Sequence, residues 1–284
     1  MRVFDLHCDT LDRLALHGEA GGAAFEYMEG DNSIPHARMS SLLSNDAHIS
    51  LERTAQFNWC QCFAVFVPDE LRGGAAWSFY LRIRDFFRGQ AAQFEKQLVP
   101  VRTSGEAECA FGAGKTAGML TVEGAAFLAD DGHAGERLDA IADDGVRMVT
   151  LTWNGRNALG SGNVTEDGLT LFGRACVREL EARDIAVDVS HLNDVGFNYY
   201  NDFLNDRGEE ATRDDALRHI DHILEVAGED LLALGSDYDG SEVPRWLSPC
   251  TGVANLHDIV VKEFGGEIAS KMFWENAARF FAEK

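Results

Sequence analysis

The sequence is poor in basic residues relative to acidic ones. Of its 284 residues, 25 are Lys or Arg and 47 are Asp or Glu, which gives a formal net charge of −22. Nucleic acids and acidic membrane surfaces bind proteins through clustered Lys and Arg. We therefore expect neither as a partner, and a solvated acidic surface that aids solubility accounts for the charge.

The sequence also has no apolar run approaching the ~20 residues that a membrane-spanning helix needs. Its first residues enter a strand pattern directly, without the basic segment and short apolar segment of a secretory signal. We therefore expect a cytoplasmic protein that contacts no membrane. The six cysteines are scattered, and in that compartment we expect them to be reduced and buried.

No Pro- or Ser-rich linker divides the chain and no internal repeat is visible, so we predict one domain over residues 1–284. Apolar, β-branched runs alternate with amphipathic runs, which is typical of a parallel sheet, either doubly wound or closed into a barrel. The predicted strands cover residues 3–8, 57–66, 116–122, 146–153, 185–190, 195–200 and 231–236. The predicted helices cover residues 77–97, 134–145, 168–184, 212–228 and 266–284.

Polar residues able to bind a metal stand at the ends of the predicted strands. In "FDLHCDT", His7 and Asp9 lie two residues apart and so share a face of an extended strand. Glu123 ends "MLTVE", His191 ends "VDVSH" and Asp237 ends "LALGSD". In parallel α/β folds the carboxyl ends of the strands carry the active site. Polar loops that begin at strand ends explain one or two of these residues, but less well four strands that each end in a potential ligand.

The residue types indicate a metal centre with mixed ligands. An imidazole and a carboxylate on one strand can bind one divalent ion, and the carboxylate of Glu123 can bridge two. Mixed His and carboxylate ligands suit zinc, with manganese or iron as alternatives. A carboxylate such as Asp237, near a metal-bound water, can take its proton and return it to a leaving group.

The motifs together resemble the membrane (renal) dipeptidase family of zinc peptidases, in the amidohydrolase superfamily of (β/α)8 TIM barrels. They are "DLHCDT", "TVEGA", "VTLTWNGRNALGSG", "DVSHLND" and "LRHIDHI…LLALGSDYDG". The resemblance implies a metal-dependent dipeptidase of the unanchored bacterial type, with dipeptides or other small molecules as substrates. It also implies a barrel fold, and members of the family are often homodimers.

The resemblance further implies a role for each polar residue. His7, Asp9 and Glu123 would hold one zinc, and Glu123 together with His191 would hold a second. Asp237 would be the catalytic acid/base. A hydroxide that bridges the two ions would attack the peptide carbonyl.

The sequence departs from the family's pattern around the substrate. Trp153 stands where some members have a His that helps to bind the transition state, and we expect Trp153 and Asn154 to bind substrate here. The family also has a strand after "VSH" that ends in "SHS", which supplies the last ligand of the second zinc, and then an Arg that binds the substrate carboxylate. Neither is found in this sequence. Only residues 192–196 lie between His191 and Phe197, which belongs to the next predicted strand, whereas a parallel crossover needs a dozen or more.

Two explanations of this departure stay open. The chain truly lacks one strand and its flanking helices, which leaves a barrel with a gap and an incomplete second metal site, or the sequence omits a segment of the natural protein. The functions that follow are a zinc dipeptidase, an amidohydrolase that acts on another small amide or lactone, and a non-catalytic relative that binds one ion or none.

Overall fold

The protein, described from a computed structural model, is an α/β structure built on a parallel sheet. The structure describes residues 1–16, 41–192 and 211–282. Six strands in these ranges belong to the sheet. They are β1 (Arg2–Asp5), β2 (Asn58–Phe66), β3 (Leu98–Pro100), β4 (Thr116–Glu123), β5 (Met148–Thr150) and β6 (Ala186–Asp188).

The strands pair in parallel in the order β1-β2-β4-β5-β6, and β3 pairs with the start of β4. β2 and β4 are the centre of the sheet, in a register that places Phe66 opposite Glu123. On the free side of β1, isolated parallel bridges join Asp5 to Leu234 and Cys8 to Tyr238. The segment that carries Asp237 therefore lies beside the end of β1.

Both faces of the central strands β2 and β4 are buried, as expected of parallel strands that read as apolar runs rather than as alternating patterns, whereas β6 at the edge is half-buried. Neighbouring residues of one strand belong to different core clusters: Val3 packs in one and Phe4 in the other. All eight residues of β4 are buried. Gly118 in β4 leaves room for Leu98 and Phe63, because a Cβ there would lie 3.0 Å and 3.3 Å from their side chains.

Helices follow most of the strands and cover the sheet. Several begin at side-chain caps; Thr212 and Asp215 form a capping box at the start of the helix Arg213–Ala227. The described helices are α1 (Thr10–Ala15), α2 (Leu51–Thr54), α3 (Gly73–Gln93), α4 (Ser104–Gly112), α5 (Ala134–Asp144), α6 (Leu171–Glu181), α7 (Arg213–Ala227), α8 (Val253–Phe264), α9 (Gly266–Ser270) and α10 (Asn276–Phe280). A 3₁₀ turn at Cys250–Gly252 precedes α8, and a π-helical turn at Lys271–Glu275 joins α9 to α10.

The alternation of strands and helices predicted from the sequence is confirmed, and the bounds differ. The strand predicted over 146–153 is only three residues long. The segment 231–236 pairs with β1 through one isolated bridge, between Leu234 and Asp5, rather than as a regular strand. Helices α1, α2, α4 and α8 and strand β3 were not predicted. The strand predicted over 195–200 lies outside the described residues, so a barrel that lacks one strand stays a prediction. None of the described helices combines the length and apolar character needed to cross a bilayer.

Candidate metal centre

Three of the predicted ligands meet at the carboxyl edge of the sheet. β1 ends at Asp5, so His7 and Asp9 lie just beyond the strand, and Glu123 is the last residue of β4. One ligand atom from each of His7, Asp9 and Glu123 lies within 4.8 Å of the others. His7 Nε2 is 3.0 Å from Glu123 Oε2 and 3.3 Å from Asp9 Oδ2.

These distances fit a shared divalent ion. Two ligands that each lie about 2.1 Å from a tetrahedral zinc are separated by about 3.4 Å. Asp9 and Glu123 are each only 5% exposed. Asp9 Oδ1 is buried and makes no hydrogen bond within the described part of the chain. A buried carboxylate oxygen without a partner is costly unless a cation binds it, so the residues present fit a metal ion.

The fourth predicted ligand, His191, reaches the other oxygen of Glu123. His191 Nε2 lies 3.1 Å from Glu123 Oε1, and its Nδ1 is buried without a hydrogen-bond partner among the described residues. Glu123 therefore faces an imidazole with each of its two oxygens. His191 has a φ of 63°, in the left-handed region that non-glycine residues seldom adopt. Such strain concentrates at functional sites.

Asp237 completes the group from the far end of the chain. Its Oδ1 lies 3.5 Å from His7 Nε2, its side chain is 50% exposed and its φ is 54°. Gly240 makes this approach possible, because a Cβ at position 240 would collide with Asp237 Oδ1 and with Asp9 Oδ2. Asp237 is thus more accessible than the carboxylates of Asp9 and Glu123, and this exposure suits contact with a substrate.

The charged side chains of this cluster shift one another's pKa values. Burial opposes ionisation of Glu123, but the neighbouring His7 and hydrogen bonds from both imidazoles outweigh it and hold the pKa of Glu123 at about 2. Burial and the charge of Glu123 raise the pKa of Asp9. Burial, offset in part by His7 and reinforced by Asp9 and Glu123, raises the pKa of Asp237 to about 7. A divalent cation would relieve the repulsion among these carboxylates.

The hydrogen bonds by which Asp5 holds the segment before His7 were not predicted from the sequence. Asp5 is completely buried, and its carboxylate accepts hydrogen bonds from the Ser236 backbone N–H at 2.9 Å and from Ser236 Oγ at 2.6 Å. It also accepts the backbone N–H of His7 at 3.4 Å. Asp5 therefore links the end of β1 to the residue before Asp237. The only available signal was Asp5 itself, the first of three polar residues in the Asp-x-His-x-Asp alternation of residues 5–9.

The predicted substrate residues lie beside the group rather than in it. The Trp153 ring packs edge-on against Phe66, with ring centroids 5.1 Å apart, and Phe66 is the register partner of Glu123. The Asn154 backbone carbonyl accepts the Val164 N–H at 3.1 Å. Within the described ranges, no hydrogen bond connects the Asn154 side chain to the three-ligand cluster.

This is a parallel α/β protein with imidazole and carboxylate side chains gathered where its strands end. The chain belongs to the membrane dipeptidase family, peptidase family M19, whose model matches residues 1–197 and 194–284.

Three relatives illustrate the likeness. An uncharacterized protein from the pqqA 5' region of Klebsiella pneumoniae is 26% identical over 215 residues, which covers 56% of this chain and 78% of that protein. The crystal structure of dipeptidase AC, a metallopeptidase of family M19, has a TM-score of 0.78 at 21% identity and covers 99% of this chain and 98% of its own. A metallopeptidase from Rhodobacter sphaeroides, bound to a phosphinate mimic of the dipeptide L-Ala-D-Ala, has a TM-score of 0.78 at 20% identity with the same coverage.

Proposed function

We propose that this protein is a metal-dependent dipeptidase. The observation that carries the proposal is the cluster of His7, Asp9 and Glu123, whose ligand atoms lie within 4.8 Å of one another. Membership of the membrane dipeptidase family supports peptide hydrolysis as the reaction. The phosphinate dipeptide mimic bound by the Rhodobacter relative supports dipeptides as the substrate class.

His7, Asp9 and Glu123 would hold a first zinc ion, and Glu123 and His191 would contribute to a second. Glu123 suits the shared role because its two oxygens face two different imidazoles, at 3.0 Å and 3.1 Å. When bound, the ions polarise the peptide carbonyl and lower the pKa of a water molecule. Zinc is proposed because mixed imidazole and carboxylate ligands suit it, with manganese or iron as alternatives.

Asp237 is proposed as the general acid and base. Its Oδ1 reaches the ligand cluster while half of its side chain stays exposed, so it can contact a substrate that enters from solvent. Oδ1 would accept a proton from the attacking water and return it to the leaving amine.

Trp153 and Asn154 are proposed to form the substrate side of the pocket. Trp153 is fixed against Phe66 beside Glu123, so its ring can pack against a dipeptide side chain. Asn154 follows it directly. Replacing Trp153 by Ala should raise KM for dipeptides more than it lowers kcat.

A non-catalytic relative of the dipeptidases is the second candidate function. A break in the match to the family model favours it. The match is broken into two pieces that meet at residues 194–197, where the family's strand ending in "SHS" is not found in the sequence. The Klebsiella alignment extends over 215 residues and yet covers only 56% of this chain, so part of that relative has no counterpart here. A missing strand would remove a ligand of the second metal and a substrate-binding Arg.

Metal content per chain, measured by elemental analysis on protein purified without chelator, separates the two candidates. The dipeptidase proposal expects about two ions and hydrolysis of a dipeptide panel that includes L-Ala-D-Ala and L-Ala-L-Ala. N-acyl amino acids and lactones in the same panel test for another amidohydrolase activity.

His191→Ala is the matching variant, with the exposed His133→Ala as its control. A dipeptidase should lose about one ion and its turnover when His191 is replaced, and should lose neither in the control. No turnover with one ion or none in the wild type, together with an unchanged metal content in His191→Ala, would establish the non-catalytic relative.

A further inference from the structure

Asp239 is a buried acidic residue that lies outside the metal-binding cluster and only two residues beyond Asp237. It is 0% exposed, and its φ of 70° lies in the left-handed region. A non-glycine residue stays in that region only where the surrounding structure fixes it. The contacts of Asp239 therefore explain how the loop that carries Asp237 keeps its shape.

The Asp239 carboxylate joins two other parts of the chain to this loop. Its Oδ2 accepts the Thr10 hydroxyl at 2.5 Å, and its Oδ1 accepts the His48 backbone N–H at 2.7 Å. The Ile49 N–H lies 3.4 Å from Oδ2. Thr10 comes directly after the proposed ligand Asp9, so the carboxylate connects the loop to the turn that presents this ligand.

The backbone of Asp239 is held by two further side chains. The ring Nδ1 of His48 accepts the Asp239 N–H at 2.9 Å, and Arg13 Nε donates to the Asp239 carbonyl at 2.8 Å. His48 and Asp239 thus bond reciprocally, each using its side chain to hold the other's backbone. A ring nitrogen that accepts a hydrogen bond carries no proton, so a neutral His48 has its proton on Nε2.

We propose that Asp239 is a positioning residue that holds Asp237 in register with the metal ligands, an inference that rests on the function proposed above. Only Tyr238 separates Asp239 from Asp237, and the Tyr238 carbonyl accepts the Asp9 N–H at 3.0 Å. A change of backbone angle at Asp239 therefore moves Asp237 relative to Asp9. A displacement of about 1 Å from the productive geometry costs on the order of a hundredfold in rate.

Three sites supply the test variants. Asp239→Asn replaces one acceptor oxygen with a donor that faces other donors. Thr10→Val deletes one donor with little change of volume. His48→Leu deletes the acceptor of the Asp239 N–H, whereas His48→Asn can place an acceptor near the position of Nδ1 and is the matched rescue.

The kinetic readout is the split between kcat and KM for dipeptide hydrolysis by the metal-loaded enzyme. Asp239→Asn and His48→Leu should lower kcat about tenfold or more, with KM and metal content close to wild type. His48→Asn should recover most of the loss. A purely structural role would lower the melting temperature and leave kcat below that temperature unchanged, which would overturn the proposal. If Asp239→Asn does not fold, Thr10→Val and the two His48 variants decide.

Hydrogen exchange provides a readout that does not depend on activity. Peptides that cover residues 45–50 and 237–241 should exchange faster in Thr10→Val and His48→Leu than in the wild type, and near the wild-type rate in His48→Asn. A wild type without turnover on any dipeptide would defeat the proposed function, and the exchange rates would still decide whether Asp239 holds the loop. Unchanged exchange in folded Thr10→Val and His48→Leu would overturn the proposal.

Discussion

Gly240 leaves space for two carboxylates, and we predict that Gly240→Ala damages the metal centre. A Cβ at this position falls closer to Asp9 Oδ2 and to Asp237 Oδ1 than the 3.0 Å that real Cβ atoms keep. Gly240 does not have a positive φ, so the effect is a steric clash and not backbone strain. Relief of the clash requires a shift of about 1 Å, which lowers the rate on the order of a hundredfold. Overpacking of this kind also costs about 1–3 kcal/mol of stability.

Gly89→Ala is the matched control for Gly240→Ala. Gly89 lies inside helix α3, and a Cβ added there would have no atom within 4 Å apart from those of its chain neighbours and its own helix backbone. We expect this control to stabilise the protein by about 0.5–1 kcal/mol and to leave activity unchanged. The assays are metal content per chain, kcat on a dipeptide and urea unfolding in the presence of a chelator. A Gly240→Ala protein with wild-type metal content and turnover would refute the steric argument.

Three further predictions concern stability. Burial, offset in part by hydrogen bonds from Ser236, raises the pKa of Asp5 from 3.8 to about 6. Between pH 3.8 and about 6 the folded protein keeps a proton on Asp5 that the unfolded chain has released. The free energy of unfolding therefore falls as pH rises through this range. In urea unfolding without metal, the free energy of unfolding of the wild type should fall by about 3 kcal/mol more than that of Asp5→Asn across this pH range. A difference between the two proteins that does not change with pH would contradict the raised pKa of Asp5. Tyr80→Phe removes the hydrogen bond from the Tyr80 hydroxyl to Asp144 Oδ2 at 2.7 Å and should lower the free energy of unfolding by about 1–3 kcal/mol, whereas an unchanged urea midpoint would show that this bond contributes nothing. Metal removal by a chelator should lower Tm, because free ion at 100 times its Kd stabilises by about 2.7 kcal/mol; added zinc should restore Tm in the wild type but not in His7→Ala.

The position of the candidate site was predictable from the sequence because parallel sheets bring the ends of their strands to one edge. That rule needs no knowledge of register. It places His7, Asp9 and Glu123 at the same edge, where one ligand atom of each lies within 4.8 Å of the others. It also anticipated that residues far apart in sequence, His191 and Asp237, approach the same cluster. Their individual roles stay predictions.

The supporting residues could not be predicted, because their roles depend on contacts between distant segments. Asp239 meets Thr10 across 229 residues, and no local pattern signals that pairing. The irregular pairing of 231–236 has a similar cause. The N–H of Ser236 bonds to the side chain of Asp5, so this donor is not available to the sheet, and side-chain bonds of this kind compete with regular structure.

The missed helix α4 has weak apolar periodicity. Its sequence "SGEAECAFG" contains two glycines, and Ala107 and Ala110 are the apolar residues that it buries. Thr103 nevertheless caps it by accepting the Glu106 N–H, and capping contributes about 1 kcal/mol. Tertiary packing of two small residues and a good cap therefore outweigh a poor pattern.

Two isolated bridges, Asp5 to Leu234 and Cys8 to Tyr238, join the start of the chain to a segment that is synthesised much later. This separation affects the order of events during synthesis. His7, Asp9 and Glu123 all lie within the first 123 residues, at or just beyond the ends of strands that pair with β2. Asp237 emerges from the ribosome more than a hundred residues later. Chains fold as they emerge, and contacts of high sequence separation form late. We expect a nascent chain to gather its first metal ligands before it contains the carboxylate that would use the metal. Capture of the ion and the onset of chemistry would then be separate steps in the life of the molecule.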